Sequence, residues 1–105
     1  MDVISIKDFP GIRIGNAQNI EGGTGCTVIL SESGMCAGLD VRGGGPASRE
    51  SELLKPLANA QTIHAVLLGG GSAFGLDAGG GVMQFLEEKD IGFDVGVTKV
   101  PLVCQ

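Results

Sequence analysis

Positive charge is scarce in this sequence: seven Lys plus Arg stand against twelve Asp plus Glu, a net charge of -5 over 105 residues, with no basic stripe. Without clustered cations to neutralise phosphates and release their counterions, nucleic acid is not an expected partner. Long apolar runs are also missing. No segment approaches the roughly 20 apolar residues that cross a bilayer. The opening residues Met1 to Asp8 carry neither a basic stretch nor a continuous apolar one. The expectation is a soluble, cytoplasmic protein with no membrane partner.

Cysteine and histidine are equally sparse. Cys26, Cys36 and Cys104 are odd in number and show no CxxC spacing, and His64 is the sole imidazole. That set supports neither a disulfide framework nor a zinc site, so no metal or cofactor is expected. All three cysteines read as small apolar core residues. No long linker, low-complexity tract or internal repeat interrupts the chain, and residues 1–105 read as a single unit.

What the sequence has in abundance is glycine, concentrated in Gly69-Gly70-Gly71-Ser72-Ala73-Phe74-Gly75-Leu76-Asp77-Ala78-Gly79-Gly80-Gly81. Glycine costs conformational entropy on folding, so such a run implies sharp bending and close packing of backbone. Before it, Thr62 to Leu68 is apolar and β-branched with little alternation, as in a strand covered on both faces and lying mid-sheet. After it, Phe74, Ala78, Val82, Phe85 and Leu86 recur at helical spacing with Gln84, Glu87, Glu88 and Lys89 on the polar side, predicting an amphipathic helix that ends before Gly92. Gly79 to Gly81 fall inside that helix, which implies that another helix or a strand lies close against them.

Further strands are predicted at Val3 to Ile6, Ile12 to Ile14, Cys26 to Leu30 and Met35 to Val41. Ser48 is a candidate N-cap for a short helix near Glu50 to Leu54, stopping before Pro56. The apolar stretch Val100 to Val103 either docks as a last strand or belongs to a longer polypeptide; undocked, it would leave apolar surface favouring oligomerisation.

The strand, glycine turn and helix order invites a phosphate-site reading, because helix N-termini attract anions. No GxGxxG passes through Gly69, Gly70, Gly71 and Gly75, however, and Leu76 stands where a Walker lysine would follow Gly75. A GxSxG elbow fails as well, since Phe74 and not glycine lies two residues after Ser72. Ser72 reads better as a helix N-cap than as a nucleophile, Phe74 as core, and Asp77 as a first-turn partner of the helix dipole. Backbone N–H groups near Ser72 remain able to bind a carboxylate or other oxyanion.

Several ordered segments resemble one family. They are Phe9 to Ala17, Gly25 to Val28, Gly38 to Gly44, Arg49-Glu50, Leu53-Leu54, His64 to Val66, Gly70 to Ala78, Gly92-Phe93 and Val100-Pro101. Together they resemble the N-terminal portion of the DmpA-type L-aminopeptidase/D-esterase family, self-cleaving hydrolases that include β-aminopeptidases and, more distantly, nylon-oligomer hydrolases. The resemblance implies an α/β fold, a layered α/β sandwich with mixed sheet. It implies an enzyme whose precursor cuts itself to expose a Ser or Thr that attacks a small peptide, amide or ester substrate. It further implies a missing C-terminal part or subunit and a homo-oligomer.

The implied nucleophile lies downstream of this chain, which holds no Asn-Ser, Asn-Thr or Gly-Ser-Thr cleavage context, so no catalytic residue is carried over and the chain alone is expected to be inactive. The implied substrate-binding residues are Gly70, Gly71, Ser72 and Phe74. Asp40, Arg42 and Asp77 are expected to tie strand and helix ends together. The alternatives are a noncatalytic small-molecule or anion-binding α/β domain and a structural or oligomerisation domain.

Overall fold

Two glycines and an asparagine shape the first hairpin. Strand β1 (Arg13–Asn19) turns through Ile20 to Gly23 into β2 (Thr24–Met35). Asn19 Oδ1 accepts the Gly22 N–H at 2.8 Å, and Gly23 takes a positive φ of 59°. The expected strands at Ile12 to Ile14 and Cys26 to Leu30 thus become parts of one longer antiparallel ladder, with Arg13 opposite Leu30 and Asn19 opposite Thr24. The computed structural model describes residues 1–105.

The apolar run near His64 forms β3 (Ile63–Gly69), which takes the mid-sheet place expected of it. Beyond the glycine turn come helix α1 (Ala78–Glu87), the short antiparallel pair β4 (Phe93–Asp94) and β5 (Lys99–Val100), and β6 (Val103–Cys104). The main sheet has the order β1-β2-β3-β6: β2 is antiparallel to β1 and β3, while β6 runs parallel to β3. This is an α/β fold with a mixed sheet. The apolar C-terminal stretch docks as a strand, with Pro101 to Cys104 buried.

Burial follows from the register. Leu30 pairs with Ala65 and Ala65 with Val103, a row on one face that packs on Leu86, Val82 and Met83 of α1. The next row, Ile14, Ile29, Val66 and Cys104, faces the other way. Its Cys104 end is covered by Leu53 and Leu54, whereas Ile14 is 45% exposed. Two rows further along, on this same face, Leu68 is 56% exposed. Only 12 of 105 residues are buried. The radius of gyration is 14.6 Å, above the ~13 Å of a closed globule of this length. The sheet face away from α1 is open at Ile14 and Leu68.

Several local expectations fail for lack of a partner. Val3 to Ile6 is not a strand: no strand lies beside it, and the segment runs into a 3-10 helix, Ile6–Asp8, capped by Ser5. Of Met35 to Val41 only Met35 is in a strand, because β2 bulges between Leu30 and Met35 and then leaves the sheet. Gly34 makes that bulge possible with φ +89°, its carbonyl accepting the buried Ser31 hydroxyl. The short helix is a 3-10 turn, Ser51–Leu54, with left-handed Glu50 at its start; Ser48 meets only the Ser51 hydroxyl and caps no N–H.

The glycine triplet inside α1 also differs from expectation. A Cβ on Gly79 would lie 2.9 Å from Arg49 Nη1 and 3.1 Å from Gln105 Oε1, so two side chains, not a helix or strand, occupy the space. Gly80 and Gly81 face nothing within 4 Å. Their entropic cost is therefore uncompensated by contact. Chemical denaturation of Gly80→Ala and Gly81→Ala should show each raising stability by up to ~1 kcal/mol, while Gly79→Ala gains less because Arg49 and Gln105 must move.

Candidate functional site

The glycine run bends β3 into α1 by a conformation that few residues tolerate. Gly71 and Ser72 both adopt left-handed backbone, with φ of 86° and 57°. A 3-10 helix, Ser72–Asp77, follows and leads directly into α1, so the regular helix begins at Ala78 and not near Phe74. The Gly75 N–H donates to the Gly71 carbonyl at 3.2 Å, and a Cβ on Gly75 would fall 1.7 Å from the Gly70 oxygen. Only glycine fits at position 75.

Ser72 is consequently not an N-cap. A cap residue needs extended backbone so that its side chain can reach the next N–H groups, and left-handed Ser72 lies inside the turn without such a bond. Phe74 is not core: it stands 93% exposed. Asp77 precedes α1 in helical geometry and makes no capping bond. Gly70 and Ser72 line a cavity of about 320 Å³ with Leu67, Leu68, Leu76 and Gln105. Gly71 and Phe74 lie on the same turn outside that lining, so the four expected substrate-binding residues share a loop but not one pocket.

Residues remote in sequence hold this turn. The Gln105 carboxamide donates from Nε2 to the Gly75 carbonyl at 2.7 Å, and its Oε1 accepts the Gly79 N–H at 3.2 Å. Arg49 exchanges backbone hydrogen bonds with Gln105 and sends its guanidinium to the Leu76 carbonyl at 3.3 Å and the Met83 sulfur. In the sequence Gln105 carries no signal of this role, and Arg49 stands only within the family-like pair Arg49-Glu50. The glycine spacing alone leaves the room that both side chains fill. Asp40 and Arg42 pair with each other at 2.7 Å on an exposed loop and join no strand to a helix end.

His64 and Cys104 are core residues. The buried His64 accepts the Leu102 N–H at Nδ1, 3.2 Å away, while its backbone N–H donates to the Leu102 carbonyl at 2.8 Å. Burial lowers the imidazole pKa below its ordinary 6.5. Cys104 is buried, its thiol pushed up by burial and then by Glu50, and behaves as a core residue. Cys26 is half-buried and Cys36 exposed, so the core assignment holds for Cys104 alone. No helix is long and apolar enough to cross a membrane.

The sequence pattern of peptidase family S58 matches residues 5–105. The chain belongs to peptidase family S58. This S58 chain is similar to an uncharacterized aminopeptidase of Mycobacterium tuberculosis, 42% identical over 109 residues that cover 94% of the chain and 31% of the relative. It is also similar to a 6-aminohexanoate-oligomer endohydrolase of Kocuria sp., 36% identical over 97 residues that cover 91% of the chain and 24% of that enzyme. The chain spans less than a third of the length of these relatives.

Two outcomes are expected of this site and its supporting strand. Gly75→Ala forces the turn apart and should cost on the order of 3 kcal/mol in urea unfolding, far more than a surface substitution. His64 must stay neutral to accept the Leu102 N–H, and its lowered pKa means that the unfolded chain binds this proton more readily. Its stabilisation is complete above pH 6.5 and is lost as pH falls through the folded-state value. Unfolding midpoints at neutral and acid pH should converge in His64→Asn relative to the unaltered chain.

Proposed function

We propose that this chain is the N-terminal segment of an aminopeptidase or amide and ester hydrolase that matures by autoproteolysis. The observation that carries the reading is the match over nearly the whole chain to aminopeptidases more than three times its length. The open sheet face supports it. Ile14 and Leu68 are apolar, exposed and adjacent to a core that stops half-way across the sheet, as expected where further polypeptide packs.

On this reading a Ser or Thr outside this chain becomes a new N-terminus when the precursor cuts itself. Its hydroxyl attacks the carbonyl of a small peptide, amide or ester while its own α-amine accepts the proton. The α-ammonium returns that proton to the amine or alcohol as it departs, leaving an acyl-enzyme, and donors aimed at the developing oxyanion lower both barriers. Water then releases the acid. The Gly70, Gly71, Ser72 and Phe74 turn borders the substrate cleft, where exposed Phe74 offers an apolar wall. The enzyme acts in the cytoplasm as a homo-oligomer.

The complete polypeptide carrying residues 1–105 should separate into two chains, the second beginning with Ser or Thr by N-terminal sequencing and mass spectrometry. A single uncut chain with full activity would sink the proposal. Phe74→Ala in that polypeptide should lower kcat/KM for amino-acid p-nitroanilides by about tenfold and shift preference among side chains. The 105-residue chain alone should hydrolyse none of them.

A further inference from the structure

We infer that Arg49 and Gln105 are positioning residues that set the shape of the Gly69 to Asp77 turn, and through it the affinity of the complete enzyme for substrate. The inference rests on the reading that this turn borders the cleft. One carboxamide sits among three glycines of the run: Gln105 bonds Gly75 and Gly79, and a Cβ on Gly69 would lie 3.0 Å from its Nε2. It thereby ties the middle of the 3-10 helix to the start of α1 while lying against the end of β3.

Arg49 reinforces the clamp from the loop before Ser51. Its backbone brackets Gln105 with two hydrogen bonds, Arg49 N–H to the Gln105 carbonyl at 2.7 Å and Gln105 N–H to the Arg49 carbonyl at 3.1 Å. Its guanidinium lies over Gly79 and reaches Leu76. Half-buried, it has no carboxylate within salt-bridge distance and divides its donors between the Leu76 carbonyl of the turn and the Met83 sulfur of α1. The strain of left-handed Ser72 persists only if the surroundings fix it, and these two side chains hold Gly75, Leu76 and Gly79, which follow it in the chain.

The test uses the complete polypeptide with Gln105→Met, Arg49→Met and Arg49→Lys. Gln105→Met keeps the length and removes both hydrogen bonds; Arg49→Lys keeps the charge and loses the planar fork. Each Met variant should raise KM for an amino-acid p-nitroanilide about tenfold with kcat within about twofold, and Arg49→Lys should fall between. Amide exchange at Gly79 should quicken in Gln105→Met.

KM within about twofold of the unaltered enzyme in both Met variants would overturn the inference, as would a loss confined to kcat that tracks the fraction folded. Should a variant fold poorly, the same comparison in the Gly80→Ala background restores stability without touching the clamp. Phe74→Ala separates the two levels. If it alters substrate preference while the clamp variants do nothing, positioning fails and the cleft reading stands. If it too changes nothing, the cleft reading fails.

Discussion

Everything in this fold hangs on β3 being bonded on both sides. Antiparallel β2 pairs along one edge, and on the other the two-residue parallel strand β6 pairs with Ala65 and Val66, with help from Leu102, whose carbonyl accepts from both His64 and Ala65. Ala65 and Val103 are then fully buried under Leu86 of α1. Because β3 cannot shift, the residues that leave its end are delivered to one place. The glycine turn inherits its position from this pairing and its shape from Gly75 against Gly70 together with the bonds from Gln105 and Arg49.

The turn joins rigidity to exposure. Its backbone is fixed by a contact only glycine allows and by the side chains of Arg49 and Gln105, yet Ser72 and Phe74 face solvent. Glycines at positions 69, 75 and 79 are where neighbouring groups press close, whereas Gly80 and Gly81 meet nothing. The loop thus presents a serine and a phenylalanine on a backbone that its neighbours hold in place.

Legibility in the sequence follows the range of the forces involved. The runs around His64 and Cys26 are legible because burial within a sheet writes itself as continuous apolar, β-branched sequence. The helical spacing of Val82, Phe85 and Leu86 is legible for a similar reason, although Phe85 remains 41% exposed. Val3 to Ile6 and Cys36 to Val41 mislead because strand propensity has no effect without a partner to bond. Ser72 misleads because the steric demand of Gly75 and Gly70 overrides the capping preference of serine. The clamp is invisible because Arg49 and Gln105 meet from distant parts of the chain, with nothing local to mark them.

The parallel pairing of β3 with β6 also fixes an order of events during synthesis. Antiparallel β1 to β3 can zip as neighbours, but the second edge of β3 stays open until Val103 and Cys104 have been made and have left the ribosome. The intervening crossover, glycine turn and α1 included, must close a long loop before that edge is satisfied. Through that interval Ala65 and Val66 lack their partners on that side, and the nascent chain presents an apolar, unpaired strand edge of the kind that recruits chaperones or other chains.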